Sequence, residues 1–449
     1  MATTKTFLDF NQKTSLSEGD YIVGYNAEGT AEYKTTLEDL AEYIKTYIQT
    51  NNSSPTISPT PTPTPTVTPT TTQPNNNQES SIFLPRINSF NTQWTQDGNT
   101  LFGVGGDYMG WSVDLCKTGT VFAVGSPSGV NTTHNVKVYS KTNNSWIQKG
   151  STIQHEKFTG GSVSLNNDGT ILAVGSSGVN VYKWNDTSSE WDIYGPNLNQ
   201  LFPNNSTIST FMRSYKVSLN DEGNMLAVGK LEQQDTAGQV VVYKLTNGSW
   251  IQQGTALIGG AADQFGYSLQ LNGTGDTLII GASQEYDTGD QKKGYVEVYN
   301  WSGTQWNLKG TRITGPISSS QYGGMPPAFG YSVAINEQGN KILVGSVQSS
   351  CQAYIFNNGD WTPFGSSIDF SGYGVSMNAS GNIIAVGNYP SNRRVTVVYY
   401  HDGQDWKQIH SEISGYLTPA LNGVGDLIVI GNEMYLDTGT AAIFKLPQI

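Results

Sequence analysis

The stretch from Phe329 to Ser346 occurs seven times along the chain, each time in altered wording. In it Val333 and Ile335 alternate with small residues, Asn336 to Gly339 form a turn, and Leu343 and Val344 run into Gly345. Alternation of period two, a turn and a second apolar run read as strand, tight turn, strand. The opening apolar pair recurs as Val113/Leu115, Val163/Leu165, Val217/Leu219, Leu269/Leu271, Val375/Met377 and Pro419/Leu421. Six of the seven turns open with asparagine, at 166, 220, 272, 336, 378 and 422, and all seven close on glycine. An asparagine side chain closes such a turn by bonding to nearby backbone, and glycine accepts a positive φ.

Each copy is followed by a third apolar run, such as Val136 to Tyr139 or Val240 to Tyr243, and a fourth strand marked by tryptophan. The tryptophans are Trp146, Trp191, Trp250, Trp306, Trp361 and Trp406, and five of these six have a glycine four residues on. Seven cores with six such strands leave one strand missing. It stands before the first core, as Trp94-Thr95-Gln96-Asp97-Gly98. The last core ends near Leu446 without a tryptophan strand of its own, so the array is circularly permuted. Four strands per unit at a period of roughly 45 to 60 residues predict propeller blades. The displaced strand then closes the ring and leaves no open edge. The expected fold is all-β: a seven-bladed β-propeller over residues 82–449. Charged residues at only 13% with 51 glycines suit many short strands and turns rather than helices.

The repeat resembles the FG-GAP family of propeller repeats on Phe265-Gly266, Phe329-Gly330, Gly125-Ser126-Pro127 and Gly281-Ala282-Ser283. The resemblance covers residues 94 to 446. Many repeats of that family hold calcium in an Asp-rich loop. The equivalent turns here, Asn220-Asp221-Glu222-Gly223 and Asn272-Gly273-Thr274-Gly275, are too short and too neutral for an ion that wants six or more oxygens. No metal and no other cofactor is expected.

Residues 1–50 read as a hairpin followed by a helix. Tyr21 to Tyr25 and Thr30 to Lys34 flank a Gly-ended turn, and Thr35 or Thr36 caps the helix. Leu37, Leu40, Ala41, Ile44, Tyr47 and Ile48 give that helix one apolar face. The face packs on its own hairpin, or it serves as an anchor and self-association surface. Residues 51–81 are a Pro/Thr-rich linker with prolines at 55, 59, 61, 63, 65 and 69. Such a polyproline-like spacer reaches up to about 90 Å. The segment from Thr6 to Ile44, including Asp20-Tyr21-Ile22-Val23-Gly24-Tyr25, is similar to the N-termini of virion appendage proteins of marine tailed phages, cyanophages especially. That similarity implies an anchor on a particle, a distal receptor-facing domain and homo-oligomerisation, as a trimer.

Strand direction predicts two unlike faces. Turns from first to second and from third to fourth strand share one face and are short. The other face carries the connections of variable length, as binding surfaces on rigid scaffolds do. Candidate contacts there are Phe202, Phe211, Tyr286, Asp287, Asp290, Tyr322, Met325, Tyr389, Arg393, Arg394, Glu433 and Tyr435. Aromatics among carboxylates and amides suit sugar rings, and Arg393-Arg394 suits an anionic glycan. The linker and the C-terminus fall on the constant face. The repeated motif itself is expected to be scaffold.

Catalysis is not expected. The channel-facing positions are Ser112/Asp114, Ser162/Ser164, Lys216/Ser218, Ser268/Gln270, Ser332/Ala334, Gly374/Ser376 and Thr418/Ala420. They hold one carboxylate, where a glycosidase needs two. Asp114 and Lys216 are expected to pair across the channel. His134, His155, His401 and His410 lack metal-ligand spacing, and Gly103 to Gly106 is a loop leading into the first blade. A net charge of −12 argues against nucleic acid. No run approaches the roughly 18 apolar residues of a membrane span, and no apolar leader stands at the N-terminus. Cys116 and Cys351 fall in non-adjacent units and are expected to be free thiols. The expected function is that of a phage virion fibre or appendage protein. It would be made in the host cytoplasm, held to other virion proteins by residues 1–50, and bind a host-surface receptor or glycan. The alternatives are a structural or decorating virion protein, and a polysaccharide depolymerase.

Overall fold

The structure, a computed structural model, describes residues 21–25, 32–36, 94–127, 134–143, 145–154, 157–196, 198–201, 214–230, 237–261, 263–283, 293–316, 328–347, 349–388, 394–415, 417–432 and 439–446. The chain divides into two units between Asn88 and Ser89. In the first, Tyr21–Tyr25 pairs antiparallel with Glu32–Thr36, Tyr21 opposite Thr36. The second strand thus runs two residues past Lys34. The helix positions Leu37, Leu40, Ala41, Ile44, Tyr47 and Ile48 lie outside the described residues.

The second unit is a ring of seven antiparallel blades. The first is Ser112–Leu115, Val121–Ser126, Asn135–Thr142 and Ser145–Gln148, and the next five repeat this order outward from the channel. In the seventh, Thr418–Leu421, Leu427–Asn432 and Thr440–Lys445 are completed by Thr95–Gln96, which pairs with Phe444 and Lys445. The tryptophan strand at residue 94 closes the ring, as the count of repeats requires. Four blades add a short fifth strand on the third, as where Leu257–Ile258 pairs with Gln239 and Val240. They are not legible in the sequence, because three are two residues long and the fourth, Ile368–Ser371, pairs only at its ends, too little for a periodicity.

The core lies between blades. Every residue of Val121–Ser126 is buried, since alternate side chains face the blades on either side. Ile171 and Ala173 pack with Val217, Leu226 and Trp250 of the third blade, while Leu172 and Val174 pack with Ala123 and Val138 of the first.

The tryptophan and the glycine four residues on form a lock between blades. The Trp250 indole N–H donates to the Tyr194 carbonyl at 3.0 Å, and that carbonyl precedes Gly195, whose φ is +77°. A side chain at Gly195 would strike the Trp250 ring. Trp191, Trp306, Trp361 and Trp406 repeat the bond at 2.7–3.1 Å. Trp146 turns instead to Asp97 Oδ2 at 3.1 Å, which also takes Lys141 Nζ at 2.6 Å. At Trp94 the preceding blade offers His410 in place of glycine, and the indole N–H has no partner.

The asparagine turns form a second belt. Asn336 Oδ1 accepts the N–H groups of Asn340 and Lys341 at 3.0 and 2.8 Å, so the side chain holds the turn from inside. The residue after each asparagine then bonds to the next turn. The N–H groups of Asn167, Asp221, Gly273, Glu337, Ala379 and Gly423 donate in sequence to the carbonyls of Asp221, Gly273, Glu337, Ala379, Gly423 and Lys117, and Thr118 completes the circle on Asn167. In the first blade Cys116 stands where the others have asparagine, and its Sγ accepts the Val121 N–H at 3.2 Å. Sulfur is a weak acceptor. Cys116→Asn should therefore raise stability by about 1 kcal/mol, read as a shift of the urea midpoint. Both cysteines are free and buried.

Candidate functional site

The innermost strands start on one face of the ring and end at the asparagine belt on the other. The fourth strand of each blade starts at the belt face, so the chain joins the propeller there through Trp94, and Lys445 ends there. On the opposite face the starts of the innermost strands surround a cavity of about 250 Å³. Toward the belt lies a smaller one of about 100 Å³, lined by Asp114, Ser164, Ser218 and Gln270 among others.

Channel-facing side chains sit in two layers, and both staple neighbouring blades. In the upper layer four hydroxyls donate to the carbonyl that precedes the next blade, while Ser162 accepts the Val217 N–H at 3.2 Å. Ser112 bonds to Gly160, Ser268 to Gly330, Ser332 to Gly372 and Thr418 to Gly110, at 2.6–2.9 Å. In the lower layer oxygens accept from the next innermost strand. Ser164 takes the Leu219 N–H, Ser218 that of Leu271, Gln270 that of Ile335 and Ser376 that of Leu421, at 2.8–3.0 Å.

Asp114 belongs to the lower layer. Its Oδ2 accepts the Leu165 N–H at 2.6 Å and its Oδ1 the Leu115 N–H at 2.9 Å. The pairing with Lys216 expected from sequence is absent. Lys216 aligns with Ser112, one layer up, and two residues of strand separate the layers by about 7 Å before the channel is crossed. Burial pushes the Asp114 carboxyl up to about 7, against the pull of its two backbone N–H groups and of Lys117. The folded state therefore keeps a proton that the unfolded state releases near its ordinary 3.8. Stability falls as pH rises between those two values. Asp114→Asn keeps an acceptor for Leu165 and removes the titration. Relative to the variant, the parent should lose about 2 kcal/mol between pH 5 and pH 8 in urea denaturation.

The cavity above has four aromatic residues in its wall. Tyr267, Tyr331 and Tyr373 form an arc over three consecutive blades, with ring centroids 4.9 and 5.3 Å apart. Trp111 lines the same cavity. Lys216 extends the arc, its Nζ 5.8 Å from the centroid of Tyr267. Burial lowers its amine to about 8. Among the described residues no carboxylate lies within ion-pair distance of it.

This cavity was only partly legible. Ser112, Ser162, Lys216, Ser268, Ser332, Gly374 and Thr418 were assigned to the channel and line it. The aromatics were missed, and Tyr331 belongs to the motif read as scaffold. The available signal was an aromatic residue directly before the first channel-facing position, as in Trp111-Ser112, Tyr267-Ser268 and Tyr331-Ser332. Of the loop candidates, Phe202, Phe211, Tyr286, Asp287, Asp290, Tyr322, Met325, Tyr389, Arg393, Glu433 and Tyr435 lie outside the described residues. Arg394 is half-buried at the start of a third strand, its carbonyl accepting the Gly415 N–H at 2.7 Å. Among the described residues no group of acidic, cysteine and histidine side chains has the geometry of a metal site. None of their helices is long and apolar enough to cross a membrane.

No family model matches the chain, and no curated protein matches it by sequence. Among solved structures it is similar to the β-propeller domain of Cps50 (Swd1) from Myceliophteria thermophila, at a TM-score of 0.52 and 12% identity. The match covers 79% of this chain and 99% of that one, and at this identity it shows that the two share the β-propeller fold.

Proposed function

We propose that this protein is a phage virion fibre or appendage protein whose propeller binds a glycan on the host surface. The observation that carries the reading is polarity. The chain joins the propeller at the belt face, and the aromatic cavity opens on the face turned away from it. An attachment protein needs its binding face away from its tether. The order of the modules supports the same reading: an N-terminal segment similar to phage appendage proteins, a Pro/Thr-rich spacer, then the propeller. In this reading residues 1–50 hold the protein to other virion chains as a trimer, and the protein acts by binding rather than catalysis. Of the carboxylates that line the lower cavity among the described residues, Asp114 is engaged as a staple between blades and Asp221 and Glu337 face Lys117, which favours binding over hydrolysis.

The test is adsorption. Antibody against the propeller is expected to block attachment of the particle to its host, and soluble protein to compete. Unchanged adsorption would favour a decorating role instead. Light scattering of the full-length protein at the mass of one chain would remove the trimer.

A further inference from the structure

Lys216 is the one charged residue of its layer, where four of seven positions carry a hydroxyl staple, Ser162 accepts a bond instead and Gly374 has no side chain. Ser112, Ser268, Ser332 and Thr418 each fasten one blade to the next from the equivalent position. Lys216 has no such bond; the equivalent acceptor, by register, is the Gly266 carbonyl. A half-buried lysine is ordinarily paired with a carboxylate. Among the described residues this one meets only the face of Tyr267, 5.8 Å from its centroid. The chain thus gives up a staple and holds a cation in the wall of an aromatic cavity, in a protein of net charge −12. Nothing in the ring's own packing needs that charge.

The ligand such a wall fits has one negative charge and a flat, partly apolar body. Tyr267, Tyr331 and Tyr373 give a continuous aromatic arc beside the amine. A volume of about 250 Å³ suits one sugar ring rather than a folded chain. We propose that the channel mouth seats a single acidic sugar residue, carboxylated or sulfated, with its charge toward Lys216 and its ring against Tyr267, Tyr331 and Tyr373. This rests on the reading of the propeller as a glycan binder and names the class of glycan.

The full-length protein is titrated with glucuronate, glucose 6-sulfate and glucose, followed by calorimetry and saturation-transfer NMR. One or both charged sugars are expected to bind at least tenfold more tightly than glucose, and the two arms separate carboxylate from sulfate. Lys216→Ser should lower the charged-sugar affinity at least tenfold and leave glucose unchanged. Its unfolding midpoint should stay level or rise, because serine there regains the bond to Gly266. Tyr331→Leu should weaken all three sugars. Equal affinity for the three sugars, no binding of any, or full affinity in Lys216→Ser would overturn the proposal. Adsorption separates it from the wider reading. If Lys216→Ser protein competes for the host as well as the parent, attachment stands and the acidic sugar falls. If glucuronate binds but the propeller plays no part in adsorption, the reverse holds.

Discussion

Gly387→Ala should destabilise the propeller by about 3 kcal/mol or more, enough to remove much of its folding margin. Gly387 ends the second strand of the sixth blade, and its backbone needs no positive φ. Its requirement is contact. A Cβ there would fall well inside 3.0 Å of the Leu417 carbonyl, carbonyl carbon and oxygen both, on the segment leading into the seventh blade. Neither partner is the end of a flexible side chain, so the clash is relieved only by moving two blades apart. The same contact recurs around the ring, with Gly125 against Gly160, Gly281 against Gly330 and Gly431 against Gly110. Gly105→Ala is the control, since nothing lies within 4 Å of a Cβ at that position. It should leave the midpoint within about 0.5 kcal/mol of the parent. Urea unfolding of the two variants checks both, and equal midpoints would refute the contact argument.

Removing residues 1–98 should lower stability by on the order of 5 kcal/mol, whereas removing residues 1–88 should leave the propeller's midpoint unchanged. The ten residues between the two cuts hold the closing strand. With them go the pairing of Thr95 and Gln96 to Lys445 and Phe444, and the Asp97 N–H bond to Ile443 at 2.8 Å. Also lost is Asp97 as partner of Lys141 and of the Trp146 indole. Residues 442 to 445, no longer paired on that side, would become an exposed edge, so the longer deletion should also aggregate. Thermal melts with light scattering of the two proteins decide it, and similar melting would show that closure contributes little.

Trp94 shows how much of this fold was legible. It could be assigned to the last blade from the chain alone, because seven cores and seven tryptophan strands balance only if the first strand joins the last core. The asparagine of each turn was likewise readable, since its bonds are local, as from Asn336 to Lys341. The glycine after each tryptophan strand was visible as a pattern without a cause. Its reason is the indole of the next blade, some 40 to 60 residues on, as for Gly195 and Trp250. Asp114 and Lys216 were rightly placed in the channel but wrongly paired, because alternation tells which side of a strand a residue faces and not the height at which it meets another blade.

The sequence by itself determined the blade, the number of blades and the permuted closure, because strands, turns and repeats are written in spacings of two, four and about fifty residues. Only the tertiary structure decided the site. Tyr267, Tyr331, Tyr373 and Lys216 come from four blades and are brought together by the ring alone. Each tyrosine stands next to the first channel-facing position, Tyr267 at the register shift between Phe265 and Ser268, so its direction is set by how the chain bends into the channel. Within the repeated motif, Val333 and Ile335 build the blade, while Tyr331 faces the cavity where we place the ligand.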